Sequence, residues 1–321
     1  MKVLVTGAFG NIGTNVVKSL LEQGQKVRCF DVKTETSETK AKEFKGKADL
    51  CWGDIRNADD VAAAVKGQDV VAHLAAIIPI QSEIKPDWAR EINVGGTTNI
   101  INELKKLKPS PKLIFASSTT VFGNTQDKKP PVKVTDPVNP SNNYTKQKVE
   151  CETLIKESGL TWCIMRFANV ASIEFTPNPM LFYIALDSRM EFVHTKDAGL
   201  AVANAAKSAK VWGKILLIGG GAKNQFRYRD YIQRSLDAMG IGRFPEEAFG
   251  NLPATPDWID TSESQALLNY QHRTFDDFLK DRLAWLGPKT DELMVRQAKL
   301  RKELLDQSPY YKAFLEKQQK G

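Results

Sequence analysis

The sequence predicts an α/β fold, a doubly wound parallel sheet with a smaller C-terminal substrate lobe. Three observations carry that reading. Short branched apolar runs alternate with longer helical stretches, which is the pattern of βαβ units. Several runs, such as Val70-Val71-Ala72, are apolar throughout, as strands covered by helices on both faces must be. A glycine-rich turn closes the first strand and opens the first helix.

Taken in order, strands are predicted at residues 3–6, 27–30, 48–52, 70–74, 112–116 and 160–165. Helices fall between them at 11–22, 58–66, 88–107 and 143–157, so the first half alternates strictly. After Arg166 the alternation fades into a proline-containing stretch, followed by a helix at 196–208, a strand at 214–218 and a helix at 228–239. Residues 1–168 are therefore read as a dinucleotide-binding domain and 169–287 as the lobe, with the chain returning to the core near 192–218. Residues 288–321 form a charged helical tail. Its narrow apolar stripe of Leu293, Leu300 and Leu304 is expected to dock on the body or on a partner subunit.

Composition narrows the function. A chain of 321 residues, 42% hydrophobic, can bury one large core or a core with a dependent lobe. The net charge of +7 comes from lysines interleaved with carboxylates, without a sustained basic run or aromatic partners, which argues against nucleic acid. Cys29, Cys51, Cys151 and Cys163 show no C-x-x-C spacing and read as reduced thiols of a cytoplasmic protein. The chain enters a strand at Lys2 without an apolar leader, and no run is long enough to cross a bilayer, so neither export nor membrane insertion is expected.

Gly7-Ala8-Phe9-Gly10-Asn11-Ile12-Gly13 follows the first strand directly. Such glycines allow a tight turn and a close approach to a pyrophosphate, whose charge rests on the free N–H groups of the helix start; the fold is thus of Rossmann type. Asp31 ends the second strand at about the twenty-residue distance where a carboxylate holds the adenosine ribose hydroxyls. A 2′-phosphate would meet like charge there, which favours NAD over NADP, although Lys33 lies close by. Gly219-Gly220-Gly221 also follows a strand but lacks phosphate-loop spacing and reads as a turn.

Tyr144 and Lys148 are four apart on a predicted helix and share a face. The preceding strand ends in Ser117-Ser118-Thr119-Thr120, which places hydroxyls at the carboxyl edge where ligands of open α/β sheets bind. Ser118, Tyr144 and Lys148 can then converge. A phenol is a poor base at neutral pH, but an adjacent ammonium and a cationic nicotinamide lower its pKa by about 1–3 units. Tyr144 becomes the general acid/base and Ser118 the hydrogen-bond partner of the reacting oxygen. The three histidines show no metal-ligand spacing, His73 reads as a satisfied core residue, and no metal is expected.

These stretches, with Gly53-Asp54-Ile55-Arg56, His73-Leu74-Ala75-Ala76, Asn93-Val94-Gly95-Gly96-Thr97 and Arg166-Phe167-Ala168-Asn169-Val170, resemble the extended short-chain dehydrogenase/reductases, the NAD-dependent epimerase/dehydratase family. The resemblance runs from Met1 to about Lys280. It implies cofactor contacts from Gly7, Phe9, Gly10, Asn11, Ile12, Gly13 and Asp31. Asp54 and Ile55 then lie at the adenine end, Leu74, Ala75 and Ala76 pass under the cofactor, Asn93 stands beside it, and Ser117, Tyr144 and Lys148 contact it. Ser118, Tyr144 and Lys148 occupy the family's catalytic positions. Sugar-nucleotide dehydratases of this family carry Asp-Glu after the catalytic hydroxyl, where this chain has Thr119-Thr120, which argues against dehydration.

The expected activity is NAD-dependent interconversion of a secondary alcohol and a ketone on a small or apolar substrate. Nucleotide-sugar epimerisation through a keto intermediate uses the same side chains and is the alternative, ahead of a catalytically silent NAD sensor. Residues 170–188 contain no Lys or Arg. That segment is expected to supply a lid through Met180, Leu181, Phe182, Tyr183 and Ile184, facing Ile77, Ile78, Pro79 and Ile80 across an apolar pocket. A small-molecule substrate and a second copy of the chain, as a homodimer, are the expected partners.

Overall fold

The computed structural model describes residues 1–174, 178–287 and 297–320. Among these, the strands are β1 Lys2–Thr6, β2 Lys26–Asp31, β3 Asp49–Trp52, β4 Val70–His73, β5 Lys112–Ser118, β6 Trp162–Phe167, β7 Arg189–Glu191, β8 Ile215–Ile218 and β9 Gln225–Arg227. Seven of them form one parallel sheet in the order β3-β2-β1-β4-β5-β6-β8, and β7 pairs antiparallel with β9. The order reverses at β1, between β2 and β4, which opens a crevice at the carboxyl ends of the strands.

The helices that cover the sheet are α1 Asn11–Glu22, α2 Glu35–Ala41, α3 Ala58–Val65, α4 Gln81–Ile84, α5 Pro86–Arg90, α6 Gly96–Lys106, α7 Asn143–Glu157 and α8 Thr195–Lys207. The lobe and tail add α9 Tyr228–Ala238, α10 Ser262–Leu268, α11 Phe275–Leu286, α12 Gln297–Leu305 and α13 Pro309–Lys320. On one face Val16, Val17 and Leu20 of α1 meet Ala198, Val202 and Ala206 of α8, all buried; on the other, Val61 and Val65 of α3, Ile100 and Leu104 of α6 and Ile155 of α7 close a second core. Both faces are thus dry, which is why β4 is buried at every position.

Two differences from the sequence reading bear on the site. The single helix expected at 88–107 is interrupted by a π turn at Glu91–Gly95, a widening of the backbone often found at functional sites. Strand β5 runs on to Ser118, so Ser117 and Ser118 are strand residues, registered opposite Arg166 and Phe167 of β6.

A third apolar cluster joins Phe182, Leu236, Met239, Phe244, Leu286 and Leu304, with Leu300 packed against it. The tail therefore docks on the body of its own chain; Leu293 lies outside the described residues. The same cluster corrects the expected lid. Phe182 is fully buried there, Tyr183 packs edge-on against Tyr310, and residues 180–184 do not line the catalytic cavity. Leu181, Phe182 and Ile184 spend their apolar surface on core packing, while Met180 stays 42% exposed. Among the described residues, no helix is long and apolar enough to cross a membrane.

Candidate active site

The crevice holds two cavities, of about 620 and 600 Å³, that share Gly7, Gly10, Leu74 and Ala76 as walls. At their junction the backbone of Gly7 turns with φ +65°, and a Cβ there would stand 2.9 Å from the Ala75 backbone. A Cβ on Gly13 would lie 2.0 Å from the Gly7 carbonyl oxygen. Only glycine fits either place. Helix α1 starts beside them with Gly10 as N-cap, no side-chain cap and no acidic residue in its first turn, which leaves its N–H groups for an anion. This cradle suits a dinucleotide pyrophosphate.

The second cavity is walled by Phe9, Asp31, Asp54, Ile55, Arg56, Ala75 and Ile77, and by Trp88 and Ser37, which the sequence did not single out. The Asp31 carboxylate accepts from the Phe9 N–H and the Val32 N–H, each at 2.9 Å. Burial pushes its pKa up and these bonds pull it down. Fixed at the end of β2, it leaves no welcome for a 2′-phosphate. Lys33, the nearby cation, is turned to Glu38 at 3.3 Å. Asp54 is held by Arg56 at 2.6 Å, and that guanidinium keeps its carboxyl below the usual carboxylate range.

The first cavity is walled by Asn11, Ile12, Gly13, Ser117, Ser118, Tyr144 and Lys148. Helix α7 is fixed at its start by a capping box between Asn142 and Thr145, and the spacing of four carries Tyr144 and Lys148 onto one face. Tyr144 hydrogen-bonds Ser118, whose hydroxyl lies 2.7 Å from that of Thr120. The Lys148 ammonium donates to the Ala116 carbonyl at 2.7 Å and stands 5.7 Å from the Tyr144 ring centroid. Burial pushes the phenol up to about 12 and brings the ammonium down to about 8. The phenol of the protein alone is thus raised, not lowered: desolvation outweighs the lowering by Ser118.

Two expected contacts are placed differently. Asn93 is buried and lines neither cavity; from the π turn its amide accepts from the Ile77 N–H at 2.7 Å and donates to the Ile77 carbonyl and to Gln147. It braces the loop that walls the site. Ser117 lines the first cavity, but its hydroxyl points down to Glu152 at 2.6 Å. His73 sits between Thr6 and Thr97, at 2.8 and 3.0 Å, and burial brings it down to about 3, a neutral core group.

The sequence reading did not include Glu83. Its carboxylate accepts from the N–H groups of Asn143 and Tyr144, at 3.1 and 3.0 Å, so a residue of α4 holds the first turn of α7. Nor did it include Asn142, Thr255 and Pro256, which line the first cavity. Asn142, two residues before Tyr144, is legible as a helix N-cap, but no spacing signal links Glu83, Thr255 or Pro256 to residue 144; only the folded chain brings them there. The substrate side of the cavity is formed by Ile78 and Pro79 facing Asn169, Val170, Thr255 and Pro256, so it is neutral rather than apolar on both sides.

Comparison with known proteins places this geometry. A model of the NAD dependent epimerase/dehydratase family matches residues 3–185. A putative UDP-glucose 4-epimerase of Methanocaldococcus jannaschii is 33% identical over 175 residues, 52% of this chain and 55% of its own length. A 3-beta-hydroxysteroid dehydrogenase of Mycolicibacterium neoaurum is 30% identical over 174 residues, 51% and 46% of the two chains. The matches thus span about half the length of these relatives. A UDP-glucose-4-epimerase of Stenotrophomonas maltophila, solved with NAD and formylated UDP-arabinopyranose, shares the fold with a TM-score of 0.76, 20% identity and coverage of 91% of this chain and 99% of that one.

Proposed function

Because this chain belongs to the NAD-dependent epimerase/dehydratase family, we propose that it is an NAD-dependent oxidoreductase interconverting a secondary alcohol and a ketone on a small, uncharged substrate. NAD, when bound in the glycine cradle, supplies the hydride acceptor or donor. Tyr144 takes the hydroxyl proton in oxidation and returns it in reduction. Ser118 hydrogen-bonds the reacting oxygen, and Lys148 holds a positive charge beside the phenol. The proposed setting is the cytoplasm, with the chain acting as a homodimer.

The observation that carries the substrate class is a count of cations. A nucleoside diphosphate needs cations or aimed backbone donors, and an arginine fork is the usual solution. Among the described residues, Lys148 is the only Lys or Arg lining the catalytic cavity. Four cations that follow residues 170–188 in sequence are committed elsewhere. Arg189 grips Asp257 through two bonds of 2.8 and 2.7 Å, and Lys196 meets Asp281 at 2.5 Å. Arg227 donates to the Asp187 carbonyl, and Arg229 bonds Glu246 and Asp187.

Nucleotide-sugar epimerisation is the competing reading, since two of the relatives described carry that name. Calorimetric titration of the NAD-loaded protein with UDP and dTDP separates the two. No binding below millimolar concentration is expected, and micromolar affinity for either nucleotide would overturn the proposal in favour of epimerisation.

A further inference from the structure

Beneath the cavity floor lies a buried ion pair that the proposed reaction does not use. Glu152 follows Lys148 by four residues on the same face of α7, one turn deeper. Arg166 of β6 grips it from the sheet, Nε to Oε1 at 2.9 Å and Nη2 to Oε2 at 2.7 Å. Ser117, directly opposite Arg166 in the β5–β6 register, donates to the same carboxylate at 2.6 Å. Consecutive residues of β5 therefore hold consecutive turns of α7: the Ala116 carbonyl holds the Lys148 ammonium, and the Ser117 hydroxyl holds Glu152.

Both members of the pair are buried, Glu152 1% and Arg166 4% exposed. A well-packed apolar pair in such a place is commonly as stable or more so, because burying two charges costs several kcal/mol each before their attraction is counted. The charges therefore call for a reason beyond stability. Around the ammonium stand Tyr144 and Cys151 on α7 and His73 on β4, with Arg166 behind Glu152 and Glu83 bound to the first turn of the helix. Among the described residues, Glu152 is the carboxylate buried with Lys148.

We propose that Glu152, held by Arg166 and Ser117 one turn below Lys148, is a positioning residue that keeps the Lys148 ammonium charged on the cavity floor. This role presupposes the proposed catalytic role of Lys148. Burial alone favours the neutral amine; the carboxylate opposes it, and Arg166 limits how far. A neutral Lys148 would offer Tyr144 no positive charge.

The test reads Lys148 directly, without turnover. In protein labelled with ¹³C-lysine, the Lys148 signal is identified by its loss in Lys148→Met and titrated by NMR. The wild-type midpoint is expected near 8. Glu152→Gln should lower it by about one unit or more, since the carboxylate charge is lost while the Arg166 charge stays. Arg166→Met should move it the other way. The opposite signs distinguish a charge-setting pair from a merely structural one, whose loss would move both variants alike. If the single variants do not fold, Glu152→Met/Arg166→Met removes both charges and keeps the volume; its midpoint should then fall below wild type as the helping carboxylate disappears.

A midpoint within about 0.3 units of wild type in Glu152→Gln, or in the double variant where the single ones do not fold, overturns the inference. Turnover is a separate arm. At pH 8 the charged fraction of Lys148 in Glu152→Gln should drop about five-fold and kcat with it, while at pH 6 the two proteins should be nearly equal. Shifted midpoints without any effect on NAD-linked turnover would refute the catalytic reading of Lys148 and leave the positioning pair standing.

Discussion

Replacing Tyr144 with Phe removes one oxygen from the site, and the structure sets the size of the effect. The phenol's hydrogen bond is to Ser118, which keeps its second partner, Thr120. Folding stability should therefore change by less than about 1 kcal/mol. NAD affinity should also hold, since the glycine cradle and Asp31 lie on other elements. The rate should not: loss of a positioned general acid/base costs about 10²–10⁴-fold. Direction adds a second signature. With the phenol pushed up to about 12 by burial, roughly one molecule in 10⁴ carries the phenolate at pH 8 before cofactor and substrate bind. Below the Lys148 midpoint near 8, oxidation, which needs the phenolate, should rise about tenfold per pH unit, whereas reduction, which needs the phenol, should stay flat; above it both should lose rate as the ammonium discharges. The assay is NADH absorbance in both directions from pH 6 to 10, with NADH binding followed by fluorescence. A Tyr144→Phe protein within tenfold of wild type, with the same pH slope, would remove Tyr144 from the proposed role.

The second prediction concerns cofactor choice: NAD should bind more tightly than NADP, and Asp31→Ser should narrow the gap by removing the buried carboxylate that accepts from Phe9 and Val32. Calorimetry with both cofactors checks this, and a wild-type preference for NADP would contradict it. The third is that Leu304→Ala lowers unfolding stability by about 2–4 kcal/mol, because Leu304 is 1% exposed within the third apolar cluster. Chemical denaturation measures it, NAD affinity should be unchanged, and a loss below about 1 kcal/mol would mean that the tail is not packed as described.

What the sequence could reveal followed the reach of local rules. Helices α1 and α7 match their expected bounds because their start signals, the glycine turn before α1 and the Asn142 cap of α7, lie within one segment. The glycine cradle was legible because strand, turn and helix start are contiguous, and the pair Tyr144 and Lys148 because a helix makes a spacing of four into a shared face. Contacts between distant segments were not legible. Nothing near Glu83 signals that it will bind N–H groups sixty residues on, or near Arg166 that it will meet Glu152 beside Ser117. The expected lid failed for a related reason: an apolar run such as 180–184 states that it will be buried, not against what. Nor could the pattern state the acidity of Tyr144, since desolvation depends on the packed surroundings.

The third apolar cluster also bears on the order in which this chain can be completed as it is made. Synthesis is vectorial, and domains tend to fold as their last essential segment emerges. The nucleotide-binding half must wait for α8 and β8, which supply a helix against α1 and a strand beside β6. The lobe waits longer. Phe182 and Leu236 remain without their partner Leu304, and the Ala248 carbonyl without the Ser308 hydroxyl it accepts from at 2.6 Å, until residues more than a hundred positions after Phe182 have been added. In that interval the third apolar cluster is the least finished part of the chain, so a ribosome-bound intermediate ending before α12 should present a completed sheet and an open lobe.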